Sequence, residues 1–450
     1  MSAGARDREL RVMIVTDQYA PMVGGVPTVT SELAAGLSER GHAVAVVAPG
    51  ETRHGPGDPG GTGSAGTGLA GTGPAVDLRG SLPWPWYPDQ RLGLLPPGRA
   101  RELMTTFAPD VVHIHSPLTL GAAARPAARR RRVPVVYTNH YLPLNVWPAS
   151  ARDPERDSTA RRVRDAAFYA WLTGFANRCD HVTAPTATAL RLLREHGLRA
   201  PSQAVSNGVD LARFSRGTPD EALRSRLELP ADRPLVLSVG RLSPEKRADV
   251  LIAAMGRLTV AGQPGPGGAP ADTGRQPLLV LAGTGPEAAR LQSLARHYGV
   301  ADQVRFLGFV PDADLPGLYR LAEVFAIASQ AELQSLATMA AMASGLPVVA
   351  ADAGALAELV HAGENGFLVR PGRAGEVADC LGLLCADAGL RARMSKASAR
   401  IIGEHDRHRV LARWESIYRA RAWPGACGMP RAASVPGAAG DLGAAADKNG

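Results

Sequence analysis

The chain has 450 residues, a length that exceeds one hydrophobic core and predicts two domains of about 200 residues each. Hydrophobic residues make up 45% of the chain, and no apolar run approaches the ~20 residues of a membrane-spanning helix. The formal net charge of +8 is spread along the chain rather than gathered into one face, which argues against a nucleic-acid partner.

The cysteines and the N-terminus bear on the compartment. The four cysteines are scattered without a Cys-x-x-Cys pair, so neither a zinc site nor a disulfide framework is predicted. The first residues lead into residues 10–17 without the apolar segment of a signal peptide, so we expect a cytoplasmic protein. The one dense basic block, residues 129–132, fits either contact with anionic lipid at the inner face of the cell membrane or a solvated helix end.

The chain opens with a strand–helix–strand pattern. Residues 10–17 form a nearly continuous apolar run, typical of a buried parallel strand, and a helix up to Arg40 and a strand over residues 43–48 are predicted to follow. Gly24 and Gly25 lie in the first strand-to-helix loop, where missing side chains let a phosphate or sugar approach the backbone. An ordinary flexible turn is the alternative.

Two stretches of this half are less regular. Residues 50–75 are low-complexity Gly/Thr/Ser/Pro sequence and predict a disordered insertion. The WPWYP cluster at residues 84–88 fits either an acceptor groove lined by aromatic rings or a loop anchored on the core.

Histidines stand at the carboxyl ends of two further predicted strands, over residues 111–115 and 134–137. His115 closes the first strand, and His140 follows the second in Thr-Asn-His. Doubly wound sheets bind ligands in the crevice at the carboxyl ends of their strands, so we expect both histidines to face a cleft.

The second half starts afresh with a predicted strand over residues 235–239. Ser243 is then predicted to cap a helix that holds Lys246 in its first turn. Only three of the 50 basic residues are lysines, and the other two lie in a surface-like helix and in the tail, so Lys246 stands out. Residues 262–276 predict a Gly/Pro-rich loop insertion.

A strand–loop–helix–strand unit follows over residues 322–352. The strand over residues 322–328 leads into a polar loop with one acid, Glu332, and the helix over residues 336–343 comes next. Such units place ligands at the carboxyl end of the strand, against the helix N-terminus. Glu332 therefore either handles a polar substrate or is a solvated loop acid.

These positions predict a metal-free diphosphate site. Arg241 and Lys246 supply two cations, and the backbone amides around Ser335 and Leu336 supply helix-terminal donors. Such cations stabilise a leaving diphosphate without a metal, and no Asp-x-Asp stands at a strand end. The other half presents three residues across the predicted cleft: Gly24, Gly25 and His140.

The alternation of strands and helices in two runs implies an α/β protein with two doubly wound domains facing across a cleft. The predicted units are residues 1–208, residues 209–405, a helix over residues 406–422 and a disordered tail over residues 423–450.

Seven motifs together resemble the retaining glycosyltransferases of family 4, which have the GT-B fold of two Rossmann-like domains. They are VGGVPT, TNHYLP, SNGVDLARF, SVGRLSPEKR, LAGTGPE, VRFLGFVP and ELQSLATMAAMASGLPVVAADA. The resemblance covers residues 10–420 apart from the insertions. It implies transfer of a hexose from a UDP- or GDP-sugar to an acceptor hydroxyl with retention at the anomeric carbon, and no cofactor beyond that donor substrate.

The resemblance also implies residue roles in the donor site. Arg241 and Lys246 would hold the donor diphosphate, and the loop at Gly24 and Gly25 would close over it. Glu332 matches the first glutamate of the Glu-x7-Glu motif and would contact the donor sugar.

Two further roles concern the acceptor side. The N-terminal domain would bind the acceptor, His140 would lie near the reacting centre, and the helix around Trp414 would cross back onto that domain.

Two positions depart from the family pattern. The second motif glutamate, which would bind the nucleotide ribose, is replaced by Ala340, at an expected loss of roughly 1.5–3 kcal/mol of donor binding. Residues 333–335 read LQS where many members have Gly-Phe-Gly, and this version is similar to members that glycosylate lipids. The acceptor is accordingly predicted to be a small molecule or a lipid.

Two alternatives stay open at this stage. Gly283-x-Gly285-x-x-Ala288 follows a strand and opens a helix, as in a nicotinamide-dependent oxidoreductase. The loss of the glutamate at Ala340 instead fits a non-catalytic protein that binds a nucleotide-sugar.

Overall fold

The computed structural model describes residues 8–20, 22–49, 75–78, 81–84, 87–147, 158–261 and 276–423. The predicted insertion at residues 50–75 lies outside these ranges except for its last residue, Ala75, which starts a strand and corrects the predicted boundary by one residue. The predicted loop at residues 262–276 also lies outside them, apart from Gln276.

The N-terminal half forms a seven-stranded parallel sheet in the order β3-β2-β1-β6-β7-β8-β9. Its strands, with the separate hairpin β4–β5, are β1 (Arg11–Val15), β2 (Ala43–Pro49), β3 (Ala75–Leu78), β4 (Ser81–Trp84), β5 (Tyr87–Gly93), β6 (Val111–Ile114), β7 (Val135–Thr138), β8 (His181–Ala184) and β9 (Ser202–Ala204). Its helices are α1 (Gly25–Glu39), α2 (Pro97–Phe107), α3 (Thr119–Arg130), α4 (Pro143–Val146), α5 (Thr159–Ala176) and α6 (Ala187–Glu195).

The C-terminal half forms a six-stranded parallel sheet in the order β12-β11-β10-β13-β14-β15. Its strands are β10 (Leu235–Val239), β11 (Leu278–Ala282), β12 (Val304–Gly308), β13 (Val324–Ile327), β14 (Val348–Ala351) and β15 (Gly366–Val369). The helices are α7 (Glu221–Arg226), α8 (Ala248–Ala261), α9 (Ala288–His297), α10 (Leu315–Leu321), α11 (Leu336–Ala343), α12 (Ala374–Ala386), α13 (Ala388–Ile402) and α14 (Arg407–Ala422).

Both sheets have the doubly wound strand order, in which the chain direction along the sheet reverses beside the first strand. The reversal lies between β1 and β6 in one sheet and between β10 and β13 in the other. These central strands are almost wholly apolar and buried, because helices cover both faces of the sheet. Ligands bind such sheets where the carboxyl ends of the strands diverge at the reversal point.

Two short strand pairings lie away from the central strands. In the β4–β5 hairpin, Ser81 pairs with Gly93 and Leu82 with Leu92. Part of the WPWYP cluster lies outside the described residues, so both interpretations of it stay predictions. The segment ENGFLV, residues 364–369, reads as a turn in the sequence, but its last four residues form β15, where Gly366 pairs with Val348. A Cβ atom added to Gly366 would lie 1.9 Å from Val348 O, so this edge strand needs a glycine to pair.

The C-terminal helix α14 packs on the N-terminal sheet. The side chains of Trp414 and Tyr418 are buried in the same apolar cluster as the β1 residues Val12 and Ile14. The helix starts at Asp406, whose carboxylate accepts hydrogen bonds from the first backbone amides of the helix.

The chain passes between the two halves twice, and these two segments pair with each other. The Val209 amide donates to His405 O at 2.9 Å, and the Arg407 amide donates to Val209 O at 3.0 Å. After α14, the Trp423 ring lies under the Arg8 guanidinium at 4.5 Å, so the predicted start of the disordered tail at residue 423 is wrong by at least one residue. The remainder, residues 424–450, lies outside the described ranges. Among the described residues, no helix is long and apolar enough to cross a membrane.

Candidate active site

The loop after β10 builds the first part of the site. Its centre is a single 3-10 turn, Pro244–Lys246, and α8 begins only at Ala248. Ser243 makes no capping hydrogen bond, contrary to the prediction, because the turn is too short to present free amides to it. Its hydroxyl instead donates to Glu245 Oε1 at 2.6 Å.

Glu245 anchors this loop to the end of β13. Its side chain is buried, the Arg241 guanidinium lies 3.5 Å from its Oε1, and its carbonyl oxygen accepts from the Gln330 amide at 3.0 Å. Glu245 was not predicted as a site residue, although an acid directly before Lys246 was a usable signal.

Lys246 and Glu332, predicted separately as site residues, form an ion pair. The Nζ of Lys246 donates to Glu332 Oε1 at 2.6 Å. Glu332 is only 8% exposed, so its carboxylate interacts with the ammonium group in a partly desolvated place where the attraction is stronger than on the surface. Glu332 is therefore not a solvated loop acid, and its role in substrate binding stays a prediction.

The loop from Glu332 to Ser335 is fixed from both domains. The Ala355 amide donates to Glu332 O at 2.9 Å, and the Thr186 hydroxyl of the N-terminal domain donates to Leu333 O at 2.9 Å. The Gln334 carboxamide accepts from the Asn207 amide at 2.7 Å, where the chain passes between the halves. The position of Glu332 thus depends on how the two domains are arranged.

The N-terminus of α11 faces the same place. The Ser335 hydroxyl caps the helix by accepting from the Thr338 amide at 3.2 Å. Within the part of the chain that the structure describes, the amides of Leu336 and Ala337 make no hydrogen bond. Two helix-terminal donors are therefore available to an anion.

The glycine loop of the N-terminal domain lies opposite α11. Gly24 has an extended backbone and Gly25 starts α1. A Cβ atom added to Gly25 would lie 3.9 Å from Leu336 Cδ1. The glycine loop and the α11 N-terminus are therefore neighbours across the cleft, as a shared diphosphate site requires.

His140, which is half-buried, lies at the end of a row that continues to the buried His115 and His113. Its Nε2 is 2.9 Å from His115 Nδ1, and His115 Nε2 is 3.2 Å from His113 Nδ1. Burial lowers the pKa of His140 to about 4 and the pKa values of His113 and His115 well below their ordinary value. All three imidazoles are neutral at pH 7. His113 was not predicted as part of this row, although His113 and His115 are two residues apart on one strand and therefore lie on the same face of the sheet.

Ala340 lies in the second turn of α11, five residues after Ser335. Its methyl group is 5% exposed and belongs to the apolar cluster that contains Met339 and Phe325. The helix therefore offers a methyl group where the motif would supply a carboxylate.

A second buried acid, which the sequence analysis did not single out, ends the β1 region. Asp17 accepts from the Ser116 hydroxyl at 2.5 Å and from the Thr119 hydroxyl at 3.0 Å. Burial raises the pKa of Asp17 from 3.8 to about 6, and these donors limit the rise. Asp17 thus ties β1 to the start of α3 at the carboxyl edge of the sheet.

The glycines of the Gly-x-Gly pattern have a packing role. A Cβ atom added to Gly283 would lie 1.9 Å from Gly240 O, and one added to Gly285 would lie 2.2 Å from Leu242 O. These glycines let the loop after β11 approach the loop that carries Arg241. Their presence is explained without a dinucleotide.

The predicted residues therefore fall into two groups. Six lie in or around one cleft-facing cluster on the second sheet and its glycine neighbour: Gly25, Arg241, Lys246, Glu332, Ser335 and Leu336. His140 hydrogen-bonds to His115 on the other sheet rather than to Glu332 or Lys246. Within the described ranges, no group of three or more His, Cys, Asp or Glu side chains could hold a metal ion.

Comparison with known proteins identifies the class first. The family model "Glycosyltransferase Family 4" matches residues 23–213, and the model "Glycosyl transferases group 1" matches residues 219–400. Among solved structures, sucrose-phosphate synthase from Thermosynechococcus elongatus superposes with a TM-score of 0.70 over 92% of this chain and 98% of that chain, at 20% identity. Anabaena HepE in complex with UDP superposes with a TM-score of 0.65 over 90% and 98%, at 22% identity. The predicted GT-B fold is confirmed, and the chain is a glycosyltransferase.

Relatives of known sequence specify the family. The GDP-mannose-dependent alpha-mannosyltransferase of Mycolicibacterium smegmatis is 30% identical over 93% of this chain and 95% of its own length. A D-inositol 3-phosphate glycosyltransferase of Nocardia farcinica is 33% identical over 72% and 69%. The alpha-monoglucosyldiacylglycerol synthase of Streptococcus pneumoniae is 24% identical over 76% and 71%. The chain belongs to glycosyltransferase family 4, which replaces the oxidoreductase alternative.

Proposed function

We propose that this protein transfers a hexosyl residue from a nucleotide-sugar to an acceptor hydroxyl, with retention at the anomeric carbon and without a metal ion. The observation that carries the proposal is the Lys246–Glu332 ion pair beside the α11 N-terminus, opposite the glycine loop. A cation, an acid and free helix-terminal amides meet there, and each matches a different part of a sugar diphosphate.

The cations and amides serve the diphosphate. Arg241 and Lys246 follow β10, and the Leu336 and Ala337 amides point along the α11 axis towards its N-terminal end. Charge that develops on the leaving diphosphate is stabilised most by donors already fixed in position, because they need no reorganisation during the reaction. In this proposal the two side-chain cations replace a metal ion.

Glu332 serves the sugar. In the structure its carboxylate binds Lys246, and a diphosphate would compete for that ammonium group. When Lys246 turns to the phosphate, Glu332 becomes available to accept hydrogen bonds from sugar hydroxyls. A hydrogen bond to a charged group contributes about 1.5–3 kcal/mol, enough to orient the sugar.

GDP-mannose is the donor we propose first. Three relatives that align with 93% of this chain carry the name GDP-mannose-dependent alpha-mannosyltransferase. UDP-sugars are the alternative donors, since the structural neighbour HepE holds UDP.

For the acceptor we propose a lipid. One relative is named as a synthase of a glucosyl diacylglycerol. In the N-terminal domain, α5 exposes Val163 and Trp171 on the same helix as Arg162, and Arg129–Arg132 are exposed at the end of α3. Apolar and basic side chains together favour contact with an anionic membrane surface.

The test is a donor panel followed by product analysis. Purified protein would be screened by thermal shift against GDP- and UDP-sugars, and the preferred donor incubated with lipid extract, with and without EDTA. We expect one donor to be transferred to a lipid, with the donor's anomeric configuration kept in the product by NMR and no effect of EDTA. An inverted product or an EDTA-sensitive rate would contradict the mechanism, and a water-soluble product would contradict the lipid acceptor.

A further inference from the structure

His113, His115 and His140 of the N-terminal domain form one continuous hydrogen-bonded row that ends on α14, and His140 at its other end is half-buried. The phenol oxygen of Tyr418 is 2.7 Å from His113 Nδ1, and His113 Nε2 is 2.6 Å from Thr138 Oγ1. The row continues from His113 through His115 to His140. His113, His115 and Tyr418 are fully buried, so bulk water cannot exchange with these partners.

The protons in this row can be assigned from the Tyr418 end. Burial raises the pKa of the phenol well above its ordinary value, so the hydroxyl keeps its proton. Among the described residues its one hydrogen-bond partner is His113 Nδ1. A buried hydroxyl without an acceptor is costly, so Tyr418 donates and His113 Nδ1 accepts.

The remaining protons follow one after another. Since His113 Nδ1 is unprotonated, His113 carries its proton on Nε2 and donates to Thr138, whose hydroxyl lies 2.6 Å from the Thr183 hydroxyl. His115 must then donate through Nε2 to His113 Nδ1, because two lone pairs 3.2 Å apart would repel. His115 Nδ1 is therefore an acceptor.

The row ends at His140, which the family resemblance predicts to lie near the reacting centre. His140 must donate through Nε2 to His115 Nδ1. Its other ring nitrogen, Nδ1, is unprotonated and has no hydrogen-bond partner among the described residues. The row thus defines which nitrogen of His140 can accept a proton or a hydrogen bond from substrate.

We propose that Tyr418 is a positioning residue that, through His113 and His115, fixes the tautomer and ring orientation of His140. Without the phenol hydroxyl, His113 can move its proton to Nδ1, and then His115 and His140 follow by the same shift. The Tyr418 hydroxyl therefore makes the arrangement with all three histidines protonated on Nε2 more stable than the arrangement with all three protonated on Nδ1. Through this row, α14 influences the tautomer of His140 without contacting the substrate.

A further titratable group near the row is His181, which lies on β8 and whose Nδ1 is 3.0 Å from Arg421 Nη2. Trp414 covers the His113 ring at a centroid distance of 4.6 Å. Both pack against the row without adding a hydrogen bond to His115 or His140. The direction of proton donation along the row is therefore set by Tyr418.

The test is Tyr418→Phe in the full-length protein labelled with 15N-histidine. Long-range 1H–15N spectra of the wild type should show His113, His115 and His140 all protonated on Nε2. In Tyr418→Phe we expect the Nδ1-protonated form to gain at least about fivefold for all three, in line with the loss of one hydrogen bond. Tyr169→Phe is the matched control, because Tyr169 is a buried tyrosine stacked on His196 at 3.8 Å outside the row.

The kinetic arm rests on the proposed function. With the preferred donor, Tyr418→Phe should lower kcat about tenfold or more while the donor KM stays unchanged, since proton-transfer and orientation terms act on the chemical step. His113→Leu, which breaks the row between Tyr418 and His115, should shift the tautomers of His115 and His140 in the same way and checks the result if Tyr418→Phe folds poorly. Unchanged tautomers in both variants would overturn the proposal. Shifted tautomers in a protein that transfers no sugar would instead leave the row standing and contradict the proposed function.

Discussion

Ala340 shows how much one side chain can set the donor affinity. The residue occupies the position of the second glutamate of the Glu-x7-Glu motif, on the helix whose N-terminus faces the proposed diphosphate site. A methyl group there cannot accept a hydrogen bond from a ribose hydroxyl. Under the proposed function, donor binding would therefore rely on Arg241, Lys246 and the amides at the α11 N-terminus.

Ala340→Glu should tighten donor binding about ten- to a hundredfold, as one hydrogen bond to a charged group predicts. Ala340→Gln is the matched control, since it adds nearly the same volume without the charge. Because the site is 5% exposed and apolar, both variants should lower the melting temperature of the free protein. Isothermal titration with the donor distinguishes the two, and equal affinities for Glu and Gln would contradict the ribose assignment.

Asp17 gives the protein a pH dependence of its own. Its folded-state pKa of about 6 lies above the ordinary 3.8, so the folded state holds a proton that the unfolded chain has lost between these values. Stability contributed by this group is present below about pH 4 and is lost as the pH rises through 6. The raised pKa of Asp17 lowers the free energy of unfolding at neutral pH by about 3 kcal/mol relative to its value below pH 4.

Asp17→Asn should remove this dependence. The free energy of unfolding of the variant relative to the wild type should increase between pH 4 and pH 6 and level off above it. The Ser116 hydroxyl can turn to accept from the new amide, so its hydrogen bond is kept. Urea unfolding at a series of pH values measures the difference, and a pH-independent difference would show that Asp17 titrates normally.

At the scale of elements, α3 illustrates how closely helices lie on the sheet. A Cβ atom added to Gly121 would lie 2.0 Å from Ser116 O and 2.7 Å from Ile114 Cγ2. Backbone atoms cannot move aside as a side chain can. The glycine is therefore required by the contact between α3 and the end of β6.

Gly121→Ala should destabilise the protein by about 1–3 kcal/mol through overpacking. The control is Gly98→Ala in α2, where an added Cβ atom meets nothing within 4 Å and the substitution should be neutral or slightly stabilising. Thermal unfolding of both variants tests the comparison. Equal melting temperatures would mean that α3 adjusts without cost.

The elements also show what could be predicted from the sequence. The central strands β1, β10 and β13 are continuous apolar runs, and such runs identify buried parallel strands without tertiary information. The edge strand β15 and the β4–β5 hairpin were missed. The hairpin residues are mixed in polarity, and β15 is a run of only four residues, GFLV, directly after a turn. Both are strands because a neighbouring strand offers hydrogen bonds to them.

The residues of the candidate site also divide into those that were predicted from the sequence and those that were missed. Lys246 and Glu332 were identifiable because each is an unusual residue type for its surroundings, and a strand end places each at the cleft. Glu245 and His113 carried weaker signals and were missed, because their partners lie far along the chain: Gln330 for one and Tyr418 for the other. Ser243 was assigned a capping role that depends on a helix length that local sequence does not define.

At the scale of the whole molecule, the two domains meet around the donor loop through polar contacts and through Ala331 and Leu333, which belong to the apolar cluster of the N-terminal domain. The Glu358 carboxylate of the C-terminal domain accepts from the Ala187 and Thr188 amides at 3.0 and 2.5 Å, and so binds the N-terminus of α6 in the other domain. Thr186 and Gln334 add further contacts on either side. Such polar contacts can exchange with water, which suits domains that open and close around substrate.

We propose that Lys246 and Glu332 together form the donor site. Turnover of the preferred nucleotide-sugar by single alanine variants tests this directly. Lys246→Ala and Glu332→Ala should each lower kcat/KM at least about a hundredfold. Lys396→Ala, which removes an exposed lysine of α13, should match the wild type. Wild-type turnover with both site variants as active as Lys396→Ala would contradict the claim, and a wild type that binds donors without turnover would favour the non-catalytic alternative.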